Sequence, residues 1–326
     1  MKETIPLLTP FSIERTMVAV RGQNPRLVLA HPEYPAFTKV VPVEGRDIPV
    51  TVTLVETDQG PAAELELLQA CSPKETDAIR GYIGKMLSNH VDLRPFYAQL
   101  QNEPVIGPIL PGLHGLKILL EPNLFQNLVR TIIGQQMNLS FAASLVSRIT
   151  EQYGTPVAIG DHTLYSFPKP EALAALDPDE LMPLQFSRRK AEYITGLARQ
   201  VADGSLDLNA MPDLADEEIF NRLLPIRGVG KWTVECFLLF SVGRTDFFPA
   251  DDIGLKNAMK LLWGFDSQPA SSLMMEISRD WSPWRSYAAY YLWAWLDEWK
   301  LRQKQEKEQK RPTRGKSARQ ASEEHT

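Results

Sequence analysis

The chain is poor in the residues that announce covalent or metal-based architecture. It has two cysteines in 326 residues, Cys71 and Cys236. Two thiols so far apart fit neither a disulfide framework nor a zinc or iron–sulfur site, so a reducing, cytoplasmic setting is expected. The five histidines are scattered and no His-x-x-x-His pair occurs, which leaves histidine-based metal catalysis without support. No apolar run approaches the roughly eighteen residues of a membrane span. The opening "MKETIPLLTPFSIERTM" lacks a basic-then-apolar secretory layout, and no internal repeat is visible.

Net charge is −5, a poor start for a nucleic-acid binder. The charge is uneven, however. Residues 300–326 carry nine Lys/Arg against four Asp/Glu, and the rest carries 26 against 36. An acidic body can still hold DNA through a local patch and backbone amides. The tail is nearly free of apolar residues, and disorder is expected past its first turns.

The length suits two or three domains. Residues 1–100 read as an α/β domain with an antiparallel sheet. "TMVAVRG", "RLVLAH", "FTKVVPVEG" and "IPVTVTLVET" are β-branched runs broken by Gly, Pro and Asn. Ile79, Ile83, Met86 and Leu87 then recur at helical spacing. Residues 101–299 read as mainly helical. Leu124, Leu128 and Ile132 form one stripe, and Phe141, Leu145 and Ile149 another, which Gly154 can end. A further helix starts at Ser187 and stops near Gly204. "PWRSYAAYYLWAWLDEW" makes an aromatic helix near the end.

Two stretches carry chemistry. In "LLPIRGVGKWTVE" (223–235), Gly228-Val229-Gly230 allows a tight reversal with positive φ. The next helix then presents bare amides with partial positive charge, a site for a phosphate that needs no basic side chain. A plain glycine-turned helical hairpin accounts for the same residues. In "FFPADDIGLKNAMK" (247–260), Asp251 and Asp252 stand together before a helical pattern. One acid is explained by capping; two ask for a second reason.

The spacing of these stretches resembles the helix-hairpin-helix superfamily of DNA glycosylases, in its alkyl-base (3-methyladenine type) branch. "LVRTIIGQQMNLSFAA", "RGVGKWT", "FPADDIGLK" and "WSPWRSYAAYYLW" occur in family order between about Glu121 and Trp299. The resemblance implies that Asp252 is the catalytic aspartate and Asp251 a neighbour serving as a cap or loop hydrogen-bonder. It implies a pocket lined by Trp232 and Trp293, joined by Tyr290 and Tyr291, with Cys236 where a relative has tyrosine. Gln136 matches the residue inserted into the duplex, although a polar cap on a helix connection would explain it equally. Gly228, Val229, Gly230, Lys231 and Thr233 match the phosphate-binding hairpin.

Carbonyls of Leu224, Ile226 and Val229 match a monovalent cation site for Na+ or K+. Arg227 stands there in place of the usual proline, and no cofactor is required. Strand-cleaving members carry a lysine nucleophile where this chain has Trp232. Lys231 lies one residue early, about 100° away on a helix. The implied enzyme is therefore monofunctional, a monomer acting on duplex DNA with alkylated bases and not on membranes. The alternatives are an oxidised-guanine glycosylase of the same superfamily and a non-catalytic hairpin DNA-binding protein.

Overall fold

The computed structural model describes residues 2–309. Five strands form an antiparallel sheet in the order β1-β5-β4-β3-β2: β1 (Lys2–Pro6), β2 (Val28–Ala30), β3 (Ala36–Val43), β4 (Arg46–Thr57) and β5 (Gly60–Leu67). Helix α1 (Ile13–Arg21) intervenes between β1 and β2. The expected strand "TMVAVRG" is thus a helix. Ser12 caps it by accepting the Arg15 amide at 3.2 Å. Thr16, Met17 and Val20 are its buried residues, a spacing that suits a helix and not a pleat.

Helix α2 (Pro73–Met86) packs on the sheet, and its start is a full capping box between Ser72 and Glu75. The expected stripe of Ile79, Ile83 and Met86 is its buried face. Short α3 (Arg94–Leu100) leads into the helical body: α4 (Leu124–Gly134), α5 (Leu139–Tyr153), α6 (Pro170–Ala174), α7 (Arg188–Ala202), α8 (Asp216–Leu223), α9 (Lys231–Phe237), α10 (Ile253–Trp263), α11 (Ser271–Ile277) and α12 (Arg285–Gln309). A two-stranded hairpin, β6 (Thr155–Ile159) with β7 (His162–Ser166), interrupts the helices and was not singled out in the region expected to be mainly helical. Ser187 caps α7 as expected, accepting the Lys190 amide at 3.3 Å. Helix α12 continues to Gln309, so the first turns of the charged segment are helical; residues 310–326 of the expected tail lie outside the described residues. No helix among the described residues is long and apolar enough to cross a membrane.

Two hydrophobic clusters organise this body. One joins the sheet (Phe37, Val52, Leu65) to α4, α5 and α7 (Leu128, Leu145, Ile194). The other joins residues between Val91 and Leu120 to α10 and α12, through Leu255, Met259, Tyr287 and Leu292. Packing therefore does not break at residue 100, because the segment after it is the floor under the C-terminal helices. A π-helical turn, Leu238–Val242, prolongs α9 across the seam: Leu238 belongs to the first cluster and Leu239 to the second. Irregular turns of this kind gather at functional sites. The candidate site lies on this seam.

Candidate active site

Asp252 is the N-cap of α10. Its Oδ1 accepts the Leu255 amide at 2.9 Å. The same oxygen accepts the Trp293 indole N–H at 2.9 Å, and Oδ2 accepts that of Trp232 at 3.3 Å. Three donors from three elements therefore fix both oxygens of one half-buried carboxylate. Gly254 makes room for this: a Cβ there would stand 2.9 Å from Asp252 Oδ1 and 3.1 Å from the Trp293 ring. Asp251 points away, exposed, accepting the Ser271 hydroxyl at 2.6 Å with Lys256 at 4.0 Å. Of the two roles expected for Asp251, the cap falls to Asp252, because only the residue immediately before the first helical one can reach the Leu255 amide; the loop hydrogen bond is the one Asp251 makes.

Aromatic side chains surround this acid. Trp232 and Cys236 lie one helical turn apart on α9. Burial, with Asp252 and Glu235 nearby, pushes the Cys236 thiol well above its ordinary range. Phe240 stacks on Trp293 with centroids 5.7 Å apart, and Tyr290 meets Phe240 edge-on at 6.4 Å. Burial pushes the Tyr290 hydroxyl up to about 12. Tyr291 does not join them. It is fully buried, its hydroxyl 2.6 Å from that of Tyr97 and 3.1 Å from the Leu116 carbonyl, with Phe96 against its ring at 5.0 Å. One residue along α12 turns a side chain by about 100°, which carries Tyr291 away from Phe240 and into the core. Phe240 was missed because it sits in the apolar run "CFLLF", where only the π turn, invisible in sequence, sets its direction.

The hairpin between α8 and α9 reverses at Gly228, with φ +93° and Tyr193 so close that a Cβ would stand 2.3 Å from its ring. Only glycine fits there. Gly230, the N-cap of α9, has an ordinary φ of −104°, so one positive φ serves the turn and not two. Val229 and Ile226 are buried, Leu224 is exposed, and the Ile226 carbonyl accepts the Val229 amide at 2.9 Å, keeping one lone pair. Lys231 is exposed and pairs with Glu235 at 3.6 Å. Thr233 is buried, and its hydroxyl accepts the Gln135 side-chain amide at 2.9 Å. Its side chain thus ties the hairpin to the loop that follows α4. Arg227 is exposed, paired with Glu192 at 3.1 Å and lying 5.6 Å from the Tyr193 ring centroid.

The loop 135–138 is tied to this hairpin. The Gln135 amide also donates to the Gly228 carbonyl at 2.8 Å. Lys190 donates to the carbonyls of Ile132 and Ile133 at 2.7 Å and of Gln135 at 2.9 Å. Gln136 is exposed, in the left-handed region at φ +52°. It caps nothing: the cap of α5 is Asn138, whose side chain accepts the Ser140 amide at 2.8 Å. Sequence reasoning missed Gln135 and Lys190, since both act through carbonyls and hydroxyls that only the fold brings near.

Residues 129–283 match the family described as HhH-GPD superfamily base excision DNA repair protein. That span contains Gln136, the hairpin and Asp252, but not Tyr290 or Trp293. Among curated relatives, the putative DNA-3-methyladenine glycosylase YfjP of Bacillus subtilis (strain 168) is 42% identical over 179 residues. The match takes in 55% of this chain and spans only 61% of that protein's length. A DNA-3-methyladenine glycosylase of the same organism is 30% identical over 257 residues, covering 79% of this chain and 85% of that protein. Among solved structures, the 3-methyladenine DNA-glycosylase from Archaeoglobus fulgidus superposes with a TM-score of 0.79, covering 92% of this chain and 99% of that one. Its 22% identity speaks for the fold alone. The chain belongs to the HhH-GPD superfamily of base excision DNA repair proteins.

Proposed function

We propose that the protein is a monofunctional DNA glycosylase. It flips alkylated purines of the 3-methyladenine type out of duplex DNA and hydrolyses the N-glycosidic bond, leaving an abasic site. The observation that carries this reading is Asp252, one carboxylate oriented by two indoles with further aromatic rings packed beside them. An alkylated purine is already cationic and its glycosidic bond is weakened. Electron-rich rings such as Trp232, Trp293 and Phe240 attract such a base. As the base leaves with the bonding electrons, positive charge grows on the sugar, and the fixed Asp252 carboxylate stabilises it electrostatically. A water then adds to the sugar.

Lys231 lies beside Glu235, and Trp232 occupies the place a lysine nucleophile would need, which supports hydrolysis without strand cleavage. In this reading the amides after Gly228 take a DNA phosphate, and Gln136 enters the stack where the flipped base stood. A Na+ or K+ ion held by the carbonyls of Leu224, Ile226 and Val229 would add positive charge beside that phosphate. The enzyme acts as a cytoplasmic monomer.

The test is direct. The protein is incubated with methylated duplex and with oxidised-guanine duplex, and free base and strand breaks are measured. Release of 3-methyladenine without breaks is expected. Release of oxidised guanine alone would favour the sister activity, and no release from either would leave a DNA-binding protein.

A further inference from the structure

Leu139 is the most exposed large hydrophobic residue among the described residues, at 82%. A lone exposed leucine is common on protein surfaces and decides nothing by itself. Its placement is what separates this one from Leu301 or Ile253. It is the first residue of α5 and follows the Asn138 cap. It stands three residues from Gln136, so the two Cα atoms are within roughly 11 Å. The intervening side chains are engaged: Met137 packs against the core, and Asn138 is occupied with the helix amides. Gln136 and Leu139 are therefore the two members of this loop left to project.

The start of the loop is anchored. Lys190 holds the carbonyls of Ile132 and Ile133 at the end of α4 and of Gln135, and the Gln135 amide holds the hairpin. The loop therefore leaves α4 at a point fixed relative to the hairpin. A glutamine can offer hydrogen bonds to an unpaired base edge, yet it fills an opened base stack poorly. An aliphatic side chain fills it well, and apolar wedges are the usual means of prising base steps apart.

We propose that Leu139 is the apolar half of a two-residue wedge: Gln136 answers the orphaned base, and Leu139 enters the neighbouring step and holds it unstacked. The occupant is the base stack of duplex DNA beside the extruded nucleotide. The proposal rests on the base-flipping function above.

Two variants test it, Leu139→Ser and Leu139→Met. Because the side chain is exposed, both should fold and melt like the parent. On matched methylated duplex, Leu139→Ser should release base about ten- to fiftyfold more slowly in single turnover, the scale of losing one buried aliphatic contact. On the same lesion in a bulge or mispair, where unstacking is already done, the loss should stay within about threefold. Leu139→Met should restore matched-duplex activity. In parallel, 2-aminopurine placed beside a tetrahydrofuran abasic analogue should brighten with wild type and Leu139→Met but not with Leu139→Ser. An unchanged matched-duplex rate for Leu139→Ser, or an equal loss on matched and mispaired DNA, overturns the proposal. If wild type releases no alkylated base at all, the proposed glycosylase function fails by itself. The fluorescence then decides on Leu139 alone, and equal signals from wild type and Leu139→Ser overturn it.

Discussion

Helices α5 and α10 begin alike and are used differently. Each opens with an Asx cap, Asn138 or Asp252, followed by an exposed aliphatic residue, Leu139 or Ile253. At α5 the cap carboxamide is spent on backbone amides, and Gln136 and Leu139 near it are exposed. At α10 the cap is half-buried under two indoles, and its second oxygen is free of the helix altogether. The same local device thus positions a cleft acid in one place and a projecting loop in the other. Tertiary surroundings make the difference: the seam between the two clusters delivers Trp232 and Trp293 to α10, whereas Lys190 and the hairpin hold the end of α4 and Gln135, ahead of α5.

The sharpest way to break the comparison is to make the two caps chemically equal. Asp252→Asn keeps an N-cap as good as aspartate, so the fold should persist. It removes the negative charge that the developing sugar cation needs. Base release should fall about a hundredfold or more, while binding to abasic-site DNA stays close to wild type. Asp251→Asn, touching only Ser271 and Lys256, should cost little. If Asp251→Asn is instead the inactive protein, the catalytic assignment is off by one residue.

At α5 the corresponding change is Gln136→Ala. Gln136 makes no cap, so removal should leave the melting temperature unchanged. Release from matched duplex should drop roughly ten- to a hundredfold, limited by the few kcal/mol of unstacking it offsets. Release from a mismatch should suffer less. An equal fall on all substrates with a lowered melting temperature would remove the plug role.

These two starts also show what a sequence displays. The acid pair stands out locally, but only the register of the resemblance chose Asp252 over Asp251. Trp232 and Trp293 were legible only through resemblance, since nothing in "GKWT" or "YLWAW" says which ring turns to the acid. Tyr291 was placed wrongly because an aromatic-rich helix offers no sign of which face its neighbours bury. Strands β1 and β5 and helix α1 were lost or misread for a related reason. Short apolar runs such as "TMVAV" satisfy both periods, and the Ser12 cap that decides between them is one residue among many. Phe240, Gln135 and Lys190 depend on a π turn and on carbonyls from distant segments, which no local pattern encodes.

Glu235 tests the ground between the two sites. It lies next to Cys236 on α9, nearly buried, with Lys231 as its ion-pair partner. Burial raises its carboxyl to about 7, against the pull of Lys231 and with a smaller push from Asp251. A folded-state value above the unfolded one means that the native protein binds the extra proton. The stabilising contribution is whole below about pH 4.5 and is lost as pH rises through about 7. Glu235→Gln should therefore melt higher than wild type by a margin that grows between pH 5 and 7 and is constant above. The limit is roughly 3 kcal/mol from the size of the shift. Thermal melts across that range decide it; a margin independent of pH would mean that Glu235 is ionised throughout.

The smallest effect is expected from the charged C-terminus. Residues 310–326 hold five Lys/Arg and two Asp/Glu. Their deletion removes none of the described residues, so Asp252 and its partners, the hairpin and the loop at α5 keep all the contacts given above. Excision at low salt should be unchanged. Binding is where a difference can appear, because each Lys/Arg–phosphate contact steepens the fall of log K with log salt by about one unit. If the segment grips DNA, the truncated protein should bind more weakly and show a shallower slope, with both lines converging at high salt. Superimposable lines would assign all phosphate contact to the folded body. A truncated protein slow on matched duplex even at low salt would tie the segment to base extrusion, and the two helix starts would not then account for the activity alone.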